Sequence, residues 1–268
     1  MKRTSLTGLG IAGASLLGSS TFLSSAPAFA QAPGSPVQLS ANDVAVFNFA
    51  LNLEYLEAEF YTKATTGMTI SQIGIGVSGV GTEGPTLGGQ KIGFGTNTDF
   101  VGTIAQQIAK DEQDHVKLLR ALLGSKAIGK PEINLDALGH VSTIGEFLAE
   151  ARAFEDVGVS AYGGAAPLIQ SKSVLATAAR IALAEGEHTG NVRLLVALNN
   201  VHTSPVDAQD IVPPPSGTLF FSVNSASGLT VIRTPSEVLA IVYANNAQGT
   251  KSGGFFPEGV NGTINTVS

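Results

Sequence analysis

The sequence predicts an all-α protein: a four-helix bundle built from two helical hairpins, with a Gly-rich insertion after helix one and a C-terminal extension carrying a short fifth helix. Three observations lead there. Proline is absent between Pro36 and Pro85, Pro85 and Pro131, Pro131 and Pro167, and Pro167 and Pro205, and each gap holds one long helical pattern. Each pattern has an apolar stripe in steps of three and four, as bundle helices do. The second pair of patterns repeats the chemistry of the first.

The first helix is expected from about Ser40 to Lys63, with Ser40 as N-cap and Asp43 three residues on. Ten of the 32 glycines fall between Gly67 and Gly95, so that stretch reads as a long loop or irregular hairpin. The second helix is expected from about Thr98 to Leu123, stopping at Gly124. Thr143 and Glu146 form a capping box for the third, which should end near Gly163-Gly164. The fourth should run from about Lys172 to Leu198. After Asn200, Pro213-Pro214-Pro215 reads as a stiff connector and Thr218 to Val223 as a short strand. Thr234-Pro235-Ser236-Glu237 starts the fifth helix, and the apolar, turn-like Phe255-Phe256-Pro257 is expected to pack back on the bundle. The expected organisation is a signal peptide over 1–30, the bundle over 31–200 and the extension over 201–268.

The leader reading rests on Lys2 and Arg3, an apolar stretch from Leu6 to Leu23 and an Ala28-Phe29-Ala30 cleavage site. Removing it takes the net charge from −6 to −8 and sends the protein to the periplasm or outside the cell, with no membrane attachment. An acidic chain with no basic block is a poor nucleic-acid binder. Cysteine is absent, which excludes disulfides, iron–sulfur clusters, thiolate zinc sites and thiol nucleophiles. A metal would have to be held by Glu, Asp and His.

The stripes contain such residues. Glu54 follows Val44, Phe47 and Leu51; Glu112 and His115 follow Ile104 and Ile108; Glu155 follows Leu148 and Ala151; Glu185 and His188 follow Val174, Ala178 and Ile181. Four carboxylates and two imidazoles therefore point toward the bundle axis. Buried unpaired carboxylates cost several kcal/mol each, and the stripes supply no Lys or Arg. Two divalent ions would balance four Glu. Glu54 and Tyr61 recur as Glu155 and Tyr162, Glu112-x-x-His115 as Glu185-x-x-His188, and Arg120 as Arg193, which puts the groups around a pseudo-twofold axis.

Over about residues 40–200 the chain resembles the ferritin-like di-metal carboxylate superfamily, in which two helices each give a Glu and two give Glu-x-x-His. The leader, the phrase from Asn52 to Tyr61 and the tail around Phe255 resemble its secreted branch, which includes plant desiccation-related proteins. The resemblance implies that Glu112 and Glu185 bridge two metal ions, with Glu54, Glu155, His115 and His188 as terminal ligands. Mixed N and O donors suit iron or manganese. Two functions then stand open: redox chemistry with oxygen or peroxide (ferroxidase or peroxide scavenging), and non-catalytic metal binding in stress or desiccation protection. An oligomer is compatible with either.

The neighbours read more plainly. Glu57 is an alternative to Glu54, but its repeat partner is Gly158. Glu59, Asp114 and Glu187 read as solvated acids, and Tyr61 and Tyr162 as core tyrosines with hydrogen-bonded hydroxyls. Arg120 and Arg193 fit either partners behind the ligands or plain surface residues. His140 and His202 fall in connectors and should be exposed.

Overall fold

Four long helices form in the expected order in a computed structural model, which describes residues 38–95 and 100–268. The expected leader lies outside the described residues, as does Thr98, the expected start of helix two. The elements are α1 (Ala41–Thr66), β1 (Thr86–Leu87), α2 (Val101–Leu123), β2 (Ile133–Asn134), α3 (Ile144–Ala165), α4 (Lys172–Leu198) and α5 (Pro235–Val242). The starts of α1, α3 and α5 are locally encoded. Ser40–Asp43, Thr143–Glu146 and Thr234–Glu237 each close a reciprocal capping box, satisfying donors that the first turn leaves free. Gly67, at φ 83°, ends α1 in the left-handed conformation that lacks a penalty only for glycine.

Helix α1 packs chiefly along α2, and α3 along α4, so the molecule is two hairpins face to face. Their apolar stripes share one core, in which Phe60 stacks on Phe147 at 5.3 Å and meets Phe154 edge-on at 4.9 Å.

The burial of α1 departs from a one-sided stripe: every residue from Val46 to Thr62 is buried. Its outward polar residues are satisfied by covering chain rather than by water. Asn48 accepts from Ile128 N and donates to Lys126 O. Asn52 and Asn261 exchange two hydrogen bonds, at 2.9 and 3.1 Å. Glu59, expected in solvent, is fully buried; it accepts from Ile70 N at 3.2 Å and lies 3.8 Å from Lys130 Nζ. The Gly-rich segment closes this face. It forms no hairpin; β1 pairs in parallel with β2, Thr86 opposite Ile133. Glycine is required where the strands of chain touch: a Cβ at Gly79 would stand 2.3 Å from Ala127 O.

The extension is held by charge. Asp156 on α3 accepts from Arg193 Nη1 at 2.6 Å and Arg152 Nη1 at 3.4 Å, and Arg152 also donates to Asp210 at 2.6 Å. Arg193 further donates to the carbonyls of Ile211, Leu219 and Phe220. Those bonds occupy carbonyls that a strand would use, and the expected strand over 218–223 reduces to one bridge between Val223 and Thr230. Arg233 pairs with Asp207 and its amide reaches Ser160 O. A Cβ at Gly164 would stand 1.8 Å from Arg233 O. That glycine serves a close approach, not a helix end, and α3 continues one residue past it. Phe255 packs on Phe154 at 5.1 Å.

Candidate metal centre

The i, i+3 spacing of Glu112 and His115 on α2, and of Glu185 and His188 on α4, sets each pair on one helix face. Glu54 on α1 and Glu155 on α3 face them across the bundle. Ligand atoms of Glu54, Glu112, His115 and Glu185 lie within 4.8 Å of one another, and so do those of Glu112, Glu155, Glu185 and His188. The two groups share Glu112 and Glu185. All six residues singled out by the sequence thus come together, and all are buried.

Nδ1 is the inward nitrogen of both imidazoles. His115 Nδ1 lies 3.2 Å from each of Glu54 Oε2, Glu112 Oε2 and Glu185 Oε1. His188 Nδ1 lies 3.0 Å from Glu112 Oε1 and 3.4 Å from Glu155 Oε2. The rings are 6.2 Å apart. On the outer side, His188 Nε2 is 3.3 Å from Asp111 Oδ2. A proton shared there fixes the tautomer that turns the Nδ1 lone pair inward.

Without a metal, the charge balance of this cluster rests on protons. Burial opposes a charge on His115, but Glu54, Glu112 and Glu185 outweigh it and hold the ring protonated far above its ordinary range. Burial likewise opposes His188, and contacts with Glu112 and Glu155 push it up to about 12. Burial works against ionised Glu112 too, yet the two imidazoles pull its carboxyl far below the usual range. The remaining acids go the other way. Burial, partly offset by His115, lifts Glu54 to about 7. Burial and the neighbouring carboxylates raise Glu185 well above its usual value, and Glu155 is raised by burial against the pull of His188.

Several buried atoms at this point make no hydrogen bond among the described residues: one oxygen each of Glu54 and Glu112, both oxygens of Glu155 and Glu185, and Nδ1 of His188. Native interiors rarely leave such groups unmatched. A set of hard oxygen donors with two imidazoles fits two divalent ions.

Around the six, Tyr162 donates its hydroxyl to Glu54 Oε1. Its repeat partner Tyr61 has no hydrogen-bond partner among the described residues; burial and Glu155 hold its phenol protonated. Arg120 and Arg193 play matching parts at the bundle end: Arg120 of α2 donates to Tyr55 of α1, and Arg193 of α4 to Asp156 of α3, at the same repeat positions. Asp114, Glu187, His140 and His202 are solvent-facing as expected, Asp114 pairing with Lys110 and Lys117.

One residue escaped the sequence reading, and a second was weighed there only as a substitute for Glu54. Asp111 looks like a surface acid; only the fold brings it to His188. Glu57 is 4% exposed, and a Cβ at Gly158 would stand 2.7 Å from its Oε1 and 3.1 Å from Glu185 Oε2. The glycine opposite it in the repeat was the available signal: it makes room for this carboxylate beside Glu185.

Among the described residues, no helix is long and apolar enough to cross a membrane. The sequence profile of the ferritin-like domain family matches residues 42–198, more than half the chain. No curated protein matches the chain.

Proposed function

Because the chain belongs to the ferritin-like domain family, we propose that its buried cluster holds two divalent ions, iron or manganese, and serves redox chemistry on oxygen or peroxide. The two overlapping groups of unmatched buried ligand atoms carry this reading. Glu112 and Glu185 would bridge; Glu54 with His115, and Glu155 with His188, would complete the two sites. The ion pair, when bound, would supply two electrons to oxygen or to peroxide, one from each ion as it passes from the divalent to the trivalent state.

The protein's own part is positioning. Tyr162 orients Glu54 through its hydroxyl. Asp111 fixes the ring of His188. Buried residues such as Leu51, Ala58, Leu119 and Val192 keep bulk water from the centre. We also read residues 1–30 as an export leader, which would place the mature chain in the periplasm or outside the cell.

Metal analysis after reconstitution of the apoprotein with Fe(II) without oxygen, followed by exposure to air, tests the assignment. Two ions per chain, oxygen uptake and a ferric absorbance band are expected. Absence of bound metal would overturn the site. Two bound ions with no oxygen uptake would overturn the redox reading and leave metal binding for protection, the function that needs no turnover.

A further inference from the structure

A groove of about 1410 Å³ runs along the seam of α1 and α3, roofed by α5 and the tail around Phe255. Its inner end is formed by Glu57 and Gly158, which abut the metal centre. Glu57 is therefore the one carboxylate that touches both spaces. It is nine-tenths buried and, among the described residues, accepts no hydrogen bond and pairs with no base. On α3, Glu150, Phe154 and Gly158 follow at i, i+4 and i+8, so they line one helix face over about 12 Å. Glu150 faces the same groove, with Oε1 buried and unpartnered.

The charge of the walls decides what can enter. Of the acids in the lining, Glu146 and Glu237 cap helices and Asp207 pairs with Arg233, which leaves Glu57 and Glu150 to meet a cation; the lining has no lysine. Its one arginine, Arg152, is already engaged by Asp156 and Asp210. A cleft of carboxylates and apolar walls offers oxygen donors to a hard cation and no partner to an anion. An anionic substrate has no counter-charge here.

We propose that divalent ions reach the centre through this groove, with Glu150 as an outer station and Glu57 as the carboxylate that passes each ion to Glu185. The proposal rests on the di-metal reading of the centre. Gly158 belongs to the device, because a side chain there would occupy the notch between the two carboxylates. No bond of the protein is made or broken. The ion exchanges water for Glu57 oxygen, then Glu57 oxygen for the resident ligands.

Stopped-flow loading of the full apoprotein with Co(II), read by its visible d–d absorbance, tests this, with the endpoint fixed by titration. Glu57→Gln preserves shape but removes the carboxylate that takes up the ion in transit, and should slow loading about tenfold. Glu150→Gln should slow it by about threefold, and Gly158→Ala should resemble Glu57→Gln. All three should reach the wild-type endpoint. The surface variant Asp114→Asn, which removes a carboxylate away from the groove, should load at the wild-type rate. Loading of Glu57→Gln at the wild-type rate would overturn the proposal. So would an endpoint below wild type, because Glu57 would then be a resident ligand. Failure of the wild-type protein to take up Co(II) at all would instead overturn the di-metal reading, and this route with it.

Discussion

Removing the metal should change how stability responds to pH, and the structure gives the sign. In the apoprotein several groups keep protons that the unfolded chain has released. Glu54 does so between its ordinary 4.5 and about 7, under the burial that dominates its surroundings. Glu57 and Glu185 are raised further by burial and by their neighbouring carboxylates. His188 keeps its proton from an ordinary 6.5 up to about 12. Wherever the folded chain binds the extra proton, stability falls as pH rises. Glu112 is the exception: its depressed value contributes stability above 4.5 that is lost only as pH falls through the depressed value. Between pH 5 and 7 the raised acids dominate. Each differential proton is worth about 1.4 kcal/mol per pH unit, so one to three such acids give a slope on the order of 1–4 kcal/mol per unit.

Metal inverts this. On the proposed two-ion reading, the ions bind only after both imidazoles and Glu185 give up their protons, about three per chain at neutral pH, with a further fraction from Glu54. Acid then competes with the ions, and the stabilisation they add is lost as pH falls. Glu150, raised to about 8 by burial and then by Asp136, and Asp156, at about 6, act alike on both forms. The difference between the forms therefore isolates the centre. Thermal melts of apo and Mn(II)-loaded protein at pH 5, 6 and 7 should show the apo Tm rising toward acid while the loaded Tm falls. The shifts should be about 2–4 °C per kcal/mol for a chain of this size. An indicator dye should report about three protons released on loading. If the apo and loaded curves run parallel, or fewer than one proton appears, the reasoning fails.

Other perturbations follow from the same contacts. Glu185→Gln should lose both ions in a metal count yet leave the apoprotein's Tm unchanged or higher, because the acid it replaces is already neutral there. Glu112→Gln should also lose both ions. It should lower apo stability by about 2–3 kcal/mol in denaturant melts, somewhat under the usual cost of breaking a buried pair because the imidazoles can shed their protons. Asp156→Ala removes the carboxylate that two buried arginines share and should cost about 3–5 kcal/mol. Limited proteolysis should then cut within residues 204–233 first, whereas intact resistance there would refute the clamp. Intact-mass analysis of exported protein should show a chain beginning at Gln31; retention of residues 1–30 would refute the leader reading.

The helices were legible because their signals are local. A capping box and a proline-free stripe are written within one stretch of chain, and α1 and α3 begin where their boxes put them. The six site residues were legible for a related reason: polar residues inside an apolar stripe have no local explanation, and the repeat paired them. What escaped depended on distant partners. Glu59 reads as a solvated acid, yet it is buried together with Asn48 and Asn52 because backbone from residues 70, 126, 128 and 261 reaches them. Gly164 reads as a helix stop, yet its conformation is helical and its use is to admit Arg233. A covering segment that contributes mainly backbone groups leaves little side-chain pattern to find.

The departures from the repeat say more about the centre than the repeat does. The six candidate ligands obey the pseudo-twofold, and the tyrosines and bundle-end arginines repeat in position, so symmetry alone would make two metal positions equal. Two substitutions break it. Asp111 backs His188, while the matching position before Glu185 is Ala184, which offers His115 no such partner. Glu57 has Gly158 opposite it, and so gives one face of the cluster a carboxylate and the other a notch. An outer hydrogen bond raises the basicity of an imidazole ligand, so the ion beside His188 should be held more firmly than the ion beside His115. Stepwise titration of the apoprotein with Mn(II), followed by its EPR signal, should then give two unequal affinities. Asp111→Asn should bring them closer by weakening the tighter one. Two equal affinities in the wild type would show that the symmetric core, and not these two positions, sets the properties of the centre.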